Sequence, residues 1–391
     1  MVGQERHGLK RHFTDGEFAD RERRVLVQMA RERLDALLLF KPESQYWLTG
    51  YDTFGYCFFQ CLIVTADGRM TLLTRSADRL QARLTSGIDD VRVWVDGEDA
   101  QPAVELARIA RGLGLAGERL GVEWHASGLD AAAGRALDAA FEGLADLVDA
   151  SRLVAALRLA KSPAELAYVR KASRLADAAL DAALDVVEPG VDEALVQAAV
   201  MGAIHAGDGD DMANPLVIGS GPYALLCRAH TGRRRLDAED QLTLEWAGSY
   251  RHYHCAQMRT ICVGAVRARH RELFAAAEEA LFACEARLRP GYTMGEVFQA
   301  HAEVLDRLGL GAHRLNACGY ALGAVYAPCW MDWPMFYAGN PVEIAPDMVF
   351  FLHMILMDEA TGTAMTLGRT SRVTEGAPEP LTRTPSELIR R

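Results

Sequence analysis

Glu188-Pro189-Gly190-Val191-Asp192-Glu193 and Arg289-Pro290-Gly291-Tyr292-Thr293-Met294-Gly295-Glu296 lie about a hundred residues apart and punctuate the chain in the same way. Each sits between two helical stretches, with Pro-Gly stopping the first helix. In the later copy Thr293 and Glu296 have the spacing of a capping box. Strand-like segments follow each helix pair: Leu242 to Trp246 and Arg259 to Val263 after the first, Met348 to Ile355 after the second. A degenerate internal repeat of this kind predicts two helix-helix-sheet halves facing each other around one central cleft.

The repeat occupies only the later part of the chain. Ser162-Pro163-Ala164-Glu165 is a capping box with proline at the first helical position, a strong helix start. It marks the opening of a second domain, placed here at residues 151–391, after a first domain of residues 1–150. The earlier region alternates helix and strand signals. A polar helix runs from about Glu17 to Arg33, followed by a buried strand, Leu34 to Phe40. Cys61 to Thr65 and Met70 to Thr74 flank Asp67-Gly68, a pair suited to a tight hairpin. Val91 to Val95 and Leu120 to Trp124 are further short strands, each leading into an Ala/Leu-rich helical stretch. The expectation is a small α/β domain with a mixed sheet, joined to a larger α+β domain.

Bulk properties exclude several functions. A net charge of −11 leaves no basic stripe for nucleic acid. No run approaches the eighteen or so apolar residues of a membrane span, and Met1 to Lys10 lacks the apolar core of a signal peptide. The cytoplasm is therefore the default address. None of the eight cysteines forms a C-x-x-C, and Cys57, Cys61 and Cys262 sit in apolar runs that predict reduced, buried thiols.

Three segments could carry chemistry. Ile218-Gly219-Ser220-Gly221-Pro222 lacks the third glycine of a dinucleotide loop and reads as a turn at the cleft edge. Glu245 lies among apolar neighbours, so it must be paired, hydrogen-bonded or shifted in pKa. It is either half of a structural ion pair with Arg259 or Arg251, or a cleft-facing nucleophile, base or cation anchor. His252 and His254 share a face if their segment is extended, with His254 the better site candidate. His230 is either a surface residue or a site residue. Cys318 to Phe336 is a glycine- and proline-punctuated loop unusually rich in aromatics. Such a loop packs as a lid, or walls a cationic ligand with Asp332 as counter-charge.

Together these segments resemble the pita-bread family of methionine aminopeptidase, proline-specific peptidases and creatinase, from about Phe18 to Thr382. Arg158-Leu159-Ala160-Lys161-Ser162-Pro163-Ala164-Glu165-Leu166 looks like that family's entry into its catalytic domain, and the repeat is similar to its pseudo-twofold halves. The family's peptidases hold two metal ions with two aspartates, a histidine and two glutamates. The resemblance puts those five positions at Glu245, Ala256, Tyr320, His353 and about Gly368, too few ligands for a dinuclear centre. It implies no cofactor and no metal.

Creatinase, which is metal-free, has its catalytic histidine where this chain has His230. Ectoine hydrolases look similar again, in Glu245-Trp246-Ala247-Gly248, Tyr253-His254, Arg259-Thr260, and Gly319-Tyr320 running into Pro328 and Trp330. The chain departs from them at Met331-Asp332-Trp333 and at His353. That branch opens a cyclic amidine with the glutamate acting on the ring carbon. The resemblance thus implies a metal-independent hydrolase of an amidine or guanidine C–N bond in a small polar or cationic metabolite. Glu245 would act on the carbon, His230, His254 or His353 would move the proton, and Tyr320 would donate a hydrogen bond. Tyr326, Trp330, Asp332, Trp333 and Arg259 would contact substrate. A homodimer is implied, with Tyr51 to Tyr56 over the partner's cleft. The alternatives are an Xaa-Pro-type metallopeptidase and a non-catalytic binding protein.

Overall fold

The structure, a computed structural model, describes residues 11–229 and 234–391. The reading of Met1–Lys10 and the placing of His230 lie outside the described residues. The chain divides after Arg158 into two compact units.

The first unit runs α1 (Asp15–Glu32), β1 (Ala36–Leu39), α2 (Pro42–Thr49), β2 (Cys61–Thr65), β3 (Met70–Arg75), α3 (Arg79–Thr85), β4 (Asp90–Trp94), α4 (Pro102–Gly112), β5 (Arg119–Val122), α5 (Ala131–Phe141), β6 (Asp146–Asp149) and α6 (Leu153–Leu157). Its sheet has the order β4-β3-β2-β1-β5-β6. β1 is antiparallel to β2 and parallel to β5, so the sheet is mixed, as expected. The hairpin between β2 and β3 turns on Gly68 at φ 86, a conformation that glycine adopts without cost. A buried carboxylate serves the start of α2: Glu123 accepts from the Lys41 backbone N–H at 3.0 Å and from the Ser44 hydroxyl at 2.5 Å. One thiol departs from expectation. Cys61 and Cys262 are buried, but Cys57 lies in a single helical turn and is exposed.

The second unit begins with α7 (Pro163–Val186) and α8 (Glu193–Ala206), followed by β7 (Val217–Ser220), β8 (Asp240–Tyr250) and β9 (Tyr253–Val263). The second half adds α9 (Ala268–Arg287), α10 (Met294–Arg307), β10 (Gly319–Ala321), β11 (Asp332–Met335), β12 (Val349–Asp358) and β13 (Thr363–Arg372), with short β14 (Glu379–Pro380) and β15 (Ile389–Arg390) at the end. The repeat is visible in detail. Gly190 and Gly291 turn the chain at φ 87 and 91, and both capping boxes have each of their two hydrogen bonds. The residue entering the second helix of each pair also bridges to a later segment, Asp192 to Arg235 and Thr293 to Glu343.

Each half contributes a long antiparallel hairpin, β8–β9 and β12–β13. The two join where β9 meets β13, through the pairs Arg259–Leu367 and Met258–Gly368. The sheet order is β11-β10-β12-β13-β9-β8-β7. α7 packs on β8 and β9, and α9 on β12 and β13. The α7 contact fixes which way β8 faces. Trp246 Nε1–H donates to the Ala176 carbonyl at 2.9 Å, and a Cβ on Gly248 would stand 2.0 Å from the Ala172 carbonyl oxygen. Residues 246 and 248 therefore point at the helix, and Glu245 and Ala247 point away from it.

Candidate active site

The face of the sheet turned from α7 carries one register row across five strands. Val217 on β7 pairs with Glu245 on β8, Glu245 with Met258 on β9, Met258 with Gly368 on β13, and Gly368 with His353 on β12. Directly paired residues share a face, so these side chains line up side by side. One alternation away on the same face lie Ala256 on β9, and Tyr320 on β10, which pairs with Phe351 of β12. Positions 245, 256, 320, 353 and 368, widely spread in the chain, are thus brought together.

A cavity of about 480 Å³ opens over this row. Glu245, Tyr320, Trp330 and His353 line it, with Asn214, Cys227, Arg228, Asn316 and Cys329. A hydrogen-bond chain runs along one wall. Trp330 Nε1–H donates to the Tyr320 hydroxyl at 2.8 Å, and that hydroxyl donates to Glu245 Oε1 at 3.3 Å. The Trp330 backbone N–H donates to Asn214 Oδ1 at 3.0 Å, which holds the tryptophan's loop in place. Burial pushes the Glu245 carboxyl up to about 7, against the Tyr320 hydrogen bond and the positive charge of Arg228, which pull it down. Burial, with the same arginine, lowers His353 to about 4, so its imidazole is neutral at pH 7. His353 Nδ1 has no hydrogen-bond partner among the described residues. Tyr320 is pushed well above its usual range, first by burial and then by Glu245, and stays a hydroxyl.

The other expected site residues lie elsewhere. His254 does not line the cavity. Its Nε2 accepts from the Ala213 backbone N–H at 3.0 Å and its Nδ1 lies 2.7 Å from the His252 carbonyl, while burial lowers it to about 3. With both ring nitrogens engaged and the ring neutral, it ties down the chain around Ala213. His252 does not extend a strand with it. Arg251 and His252 form the turn of the β8–β9 hairpin at φ 52 and 65, and His252 stacks on Tyr326 at 4.1 Å. That stacking engages the Tyr326 ring, which is buried.

Arg259 points to the opposite face from Glu245, where its Nη1 donates to the carbonyls of Met258 and Gly368. Neither it nor Arg251 pairs with Glu245 among the described residues. Trp333 packs on the core beneath β10 and β12. Asp332 faces the Lys161 side chain across Gly323, whose added Cβ would lie 3.3 Å from Lys161 Cε and 3.5 Å from Asp332 Oδ2. Tyr51 lies inside the first unit's core, its hydroxyl 3.3 Å from Gln60 Oε1.

The residues do not fit a dinuclear metal centre. Ala256 offers no donor atom, and Tyr320 is a buried hydroxyl already bonded on both sides. Gly368 offers none either, and the space its side chain would need is taken: a Cβ there would lie 2.7 Å from the Phe351 ring and 3.1 Å from Met258 Cβ. No group of three or more His, Cys, Asp and Glu side chains among the described residues is placed to hold a metal ion.

Known proteins resemble the chain over most of its length. Residues 167–375 match metallopeptidase family M24, and residues 21–160 match the creatinase/prolidase N-terminal domain. An uncharacterized hydrolase/peptidase of Sinorhizobium fredii is 28% identical, the alignment covering 97% of this chain and 98% of that protein. The ectoine hydrolase of Halomonas elongata is 27% identical over 96% of this chain and 98% of its own. Among solved structures, the dipeptidase PepE of Mycobacterium ulcerans superposes with a TM-score of 0.83 at 25% identity, covering 97% of this chain and 99% of that one.

Proposed function

The chain belongs to metallopeptidase family M24, and we propose that it uses the family's cleft, without metal, to hydrolyse an amidine- or guanidine-type C–N bond in a small polar metabolite. The observation that carries this reading is the chain Trp330–Tyr320–Glu245, which sets a carboxyl of pKa about 7 in the wall of the cavity. A carboxyl tuned to that value exchanges a proton readily at neutral pH. The full-length similarity to an ectoine hydrolase supports the same bond class.

In this account the ionised Glu245 takes a proton from the water that adds to the amidinium carbon. The cationic substrate becomes a neutral tetrahedral adduct. Glu245 then returns the proton to the departing nitrogen as the C–N bond breaks, leaving an ammonium ion and an amide from an amidine or a urea from a guanidine. One water is consumed and the positive charge leaves with the amine. The Tyr320 hydroxyl, held by Trp330, keeps Glu245 oriented and stabilises its anion. His353, neutral and on the cavity wall, offers the substrate an uncharged polar neighbour beside Glu245. By the same resemblance, the protein works as a homodimer.

Replacing Glu245 with glutamine tests the role directly. Glu245→Gln is expected to lower kcat by roughly a hundredfold to ten-thousandfold, while circular dichroism and the melting curve stay as in wild type. An unchanged kcat in a folded variant contradicts the mechanism. The similarity to dipeptidases favours a second reading, peptide hydrolysis with added metal, which predicts that activity on Xaa-Pro dipeptides disappears with chelator.

A further inference from the structure

We propose that Arg228 is the anchor for a carboxylate on the substrate, so that the cleft selects zwitterions whose anionic end sits on Arg228 and whose cationic end sits on Glu245. This rests on the amidine reading only for the identity of the cationic end. Arg228 is the one Lys or Arg side chain, and Glu245 the one Asp or Glu side chain, among the described residues lining the cavity. Around them the wall is largely apolar, with Val217, Leu315, Met331, Met335 and Ile355. Arg228 lines the cavity as an exposed residue, and its charge acts on both Glu245 and His353.

Arg228 makes no ion pair with any carboxylate among the described residues, unlike Arg234, which lies between Asp237 and Asp240. A guanidinium presents a planar fork that matches a carboxylate with two parallel hydrogen bonds. A purely cationic ligand drawn to Glu245 would meet repulsion from Arg228. An acid with a short hydrocarbon link to its cationic group satisfies both charges.

The test is calorimetric binding to the full-length protein of two acid–amide pairs. One pair is guanidinoacetate and its primary amide, and the other is N-acetylglycine and its primary amide, which carries no cation. In each pair the acid is expected to bind roughly tenfold or more tightly than the amide. Arg228→Met should erase that preference in both pairs, and Arg228→Lys should keep part of it. A folded Arg228→Met protein that retains the wild-type preference overturns the proposal, as does a wild type that shows none or binds neither acid. If Arg228 acts only on the pKa of Glu245, the variant shifts the pH profile and leaves the acid preference intact, which also overturns it. Should the guanidino pair bind no better than the acetyl pair, while Arg228→Met still erases both preferences, the carboxylate anchor stands and the amidine reading falls.

Discussion

At the scale of single residues, the site depends on one carboxyl and what surrounds it. Glu245 ionises near 7 because burial penalises its charge more than Tyr320 and Arg228 compensate. As the base, it must be ionised in the free enzyme. The log of kcat/KM should therefore rise with pH up to about 7 and level off above it. A limb that falls with rising pH would assign catalysis to the protonated acid instead. Tyr320→Phe removes a hydrogen bond that lowers the Glu245 pKa, so the limb should move to higher pH and activity at neutrality should drop. A limb that stays in place would remove Tyr320 from this role.

The isolated position of Glu245 among apolar neighbours and the pair Gly319-Tyr320 were legible in the sequence, but Tyr320 lies on β10 and not in the loop expected over Cys318 to Phe336. Arg228 and Asn214 were not, because both lie in irregular segments where no periodicity reports which way a side chain points. His254 misleads for a definite reason. The alternation of His252 and His254 implies one face only if the chain is extended, and two left-handed residues make the segment a turn.

At the scale of elements, the helix signals carried the most information. Both capping boxes and both Pro-Gly stops are where the sequence puts them, because they act through local backbone groups. Strands were harder. β8 and β9 extend well beyond the apolar cores that mark them, and β13, Thr363-Ala-Met-Thr-Leu-Gly-Arg-Thr-Ser-Arg372, has too little apolar alternation to stand out. It is nonetheless buried along most of its length, since the hairpin partner β12 and the neighbour β9 supply its hydrogen bonds. The β8–α7 contact is the element-level feature most open to test. Gly248 lets the Ala172 carbonyl approach where a Cβ would lie 2.0 Å away. Gly248→Ala must separate strand and helix, and should cost roughly 2–3 kcal/mol in denaturant unfolding. A cost near zero would mean that α7 does not press on β8 as described.

At the scale of the whole molecule, the chain is a pita-bread protein with a creatinase-like N-terminal domain, and its hydrolase ancestry follows from its family. The two halves deliver residues 245, 256, 320, 353 and 368 to one face, where the side chains are a carboxyl, a methyl, a phenol, an imidazole and a hydrogen, with Phe351 and Met258 closing in at Gly368. No helix among the described residues is long and apolar enough to cross a membrane. The repeat announced this architecture in the sequence, whereas the substrate is encoded only in the cavity that the repeat encloses. The account's central claim is hydrolysis without metal. The most direct test is turnover by exhaustively chelated protein, its metal content checked by elemental analysis, on creatine, ectoine, hydroxyectoine, other guanidino and cyclic amidine compounds, and Xaa-Pro dipeptides. The account predicts turnover of an amidine or guanidine at a rate that metal reloading does not raise. Activity that appears only after reloading, and only on dipeptides, would contradict it.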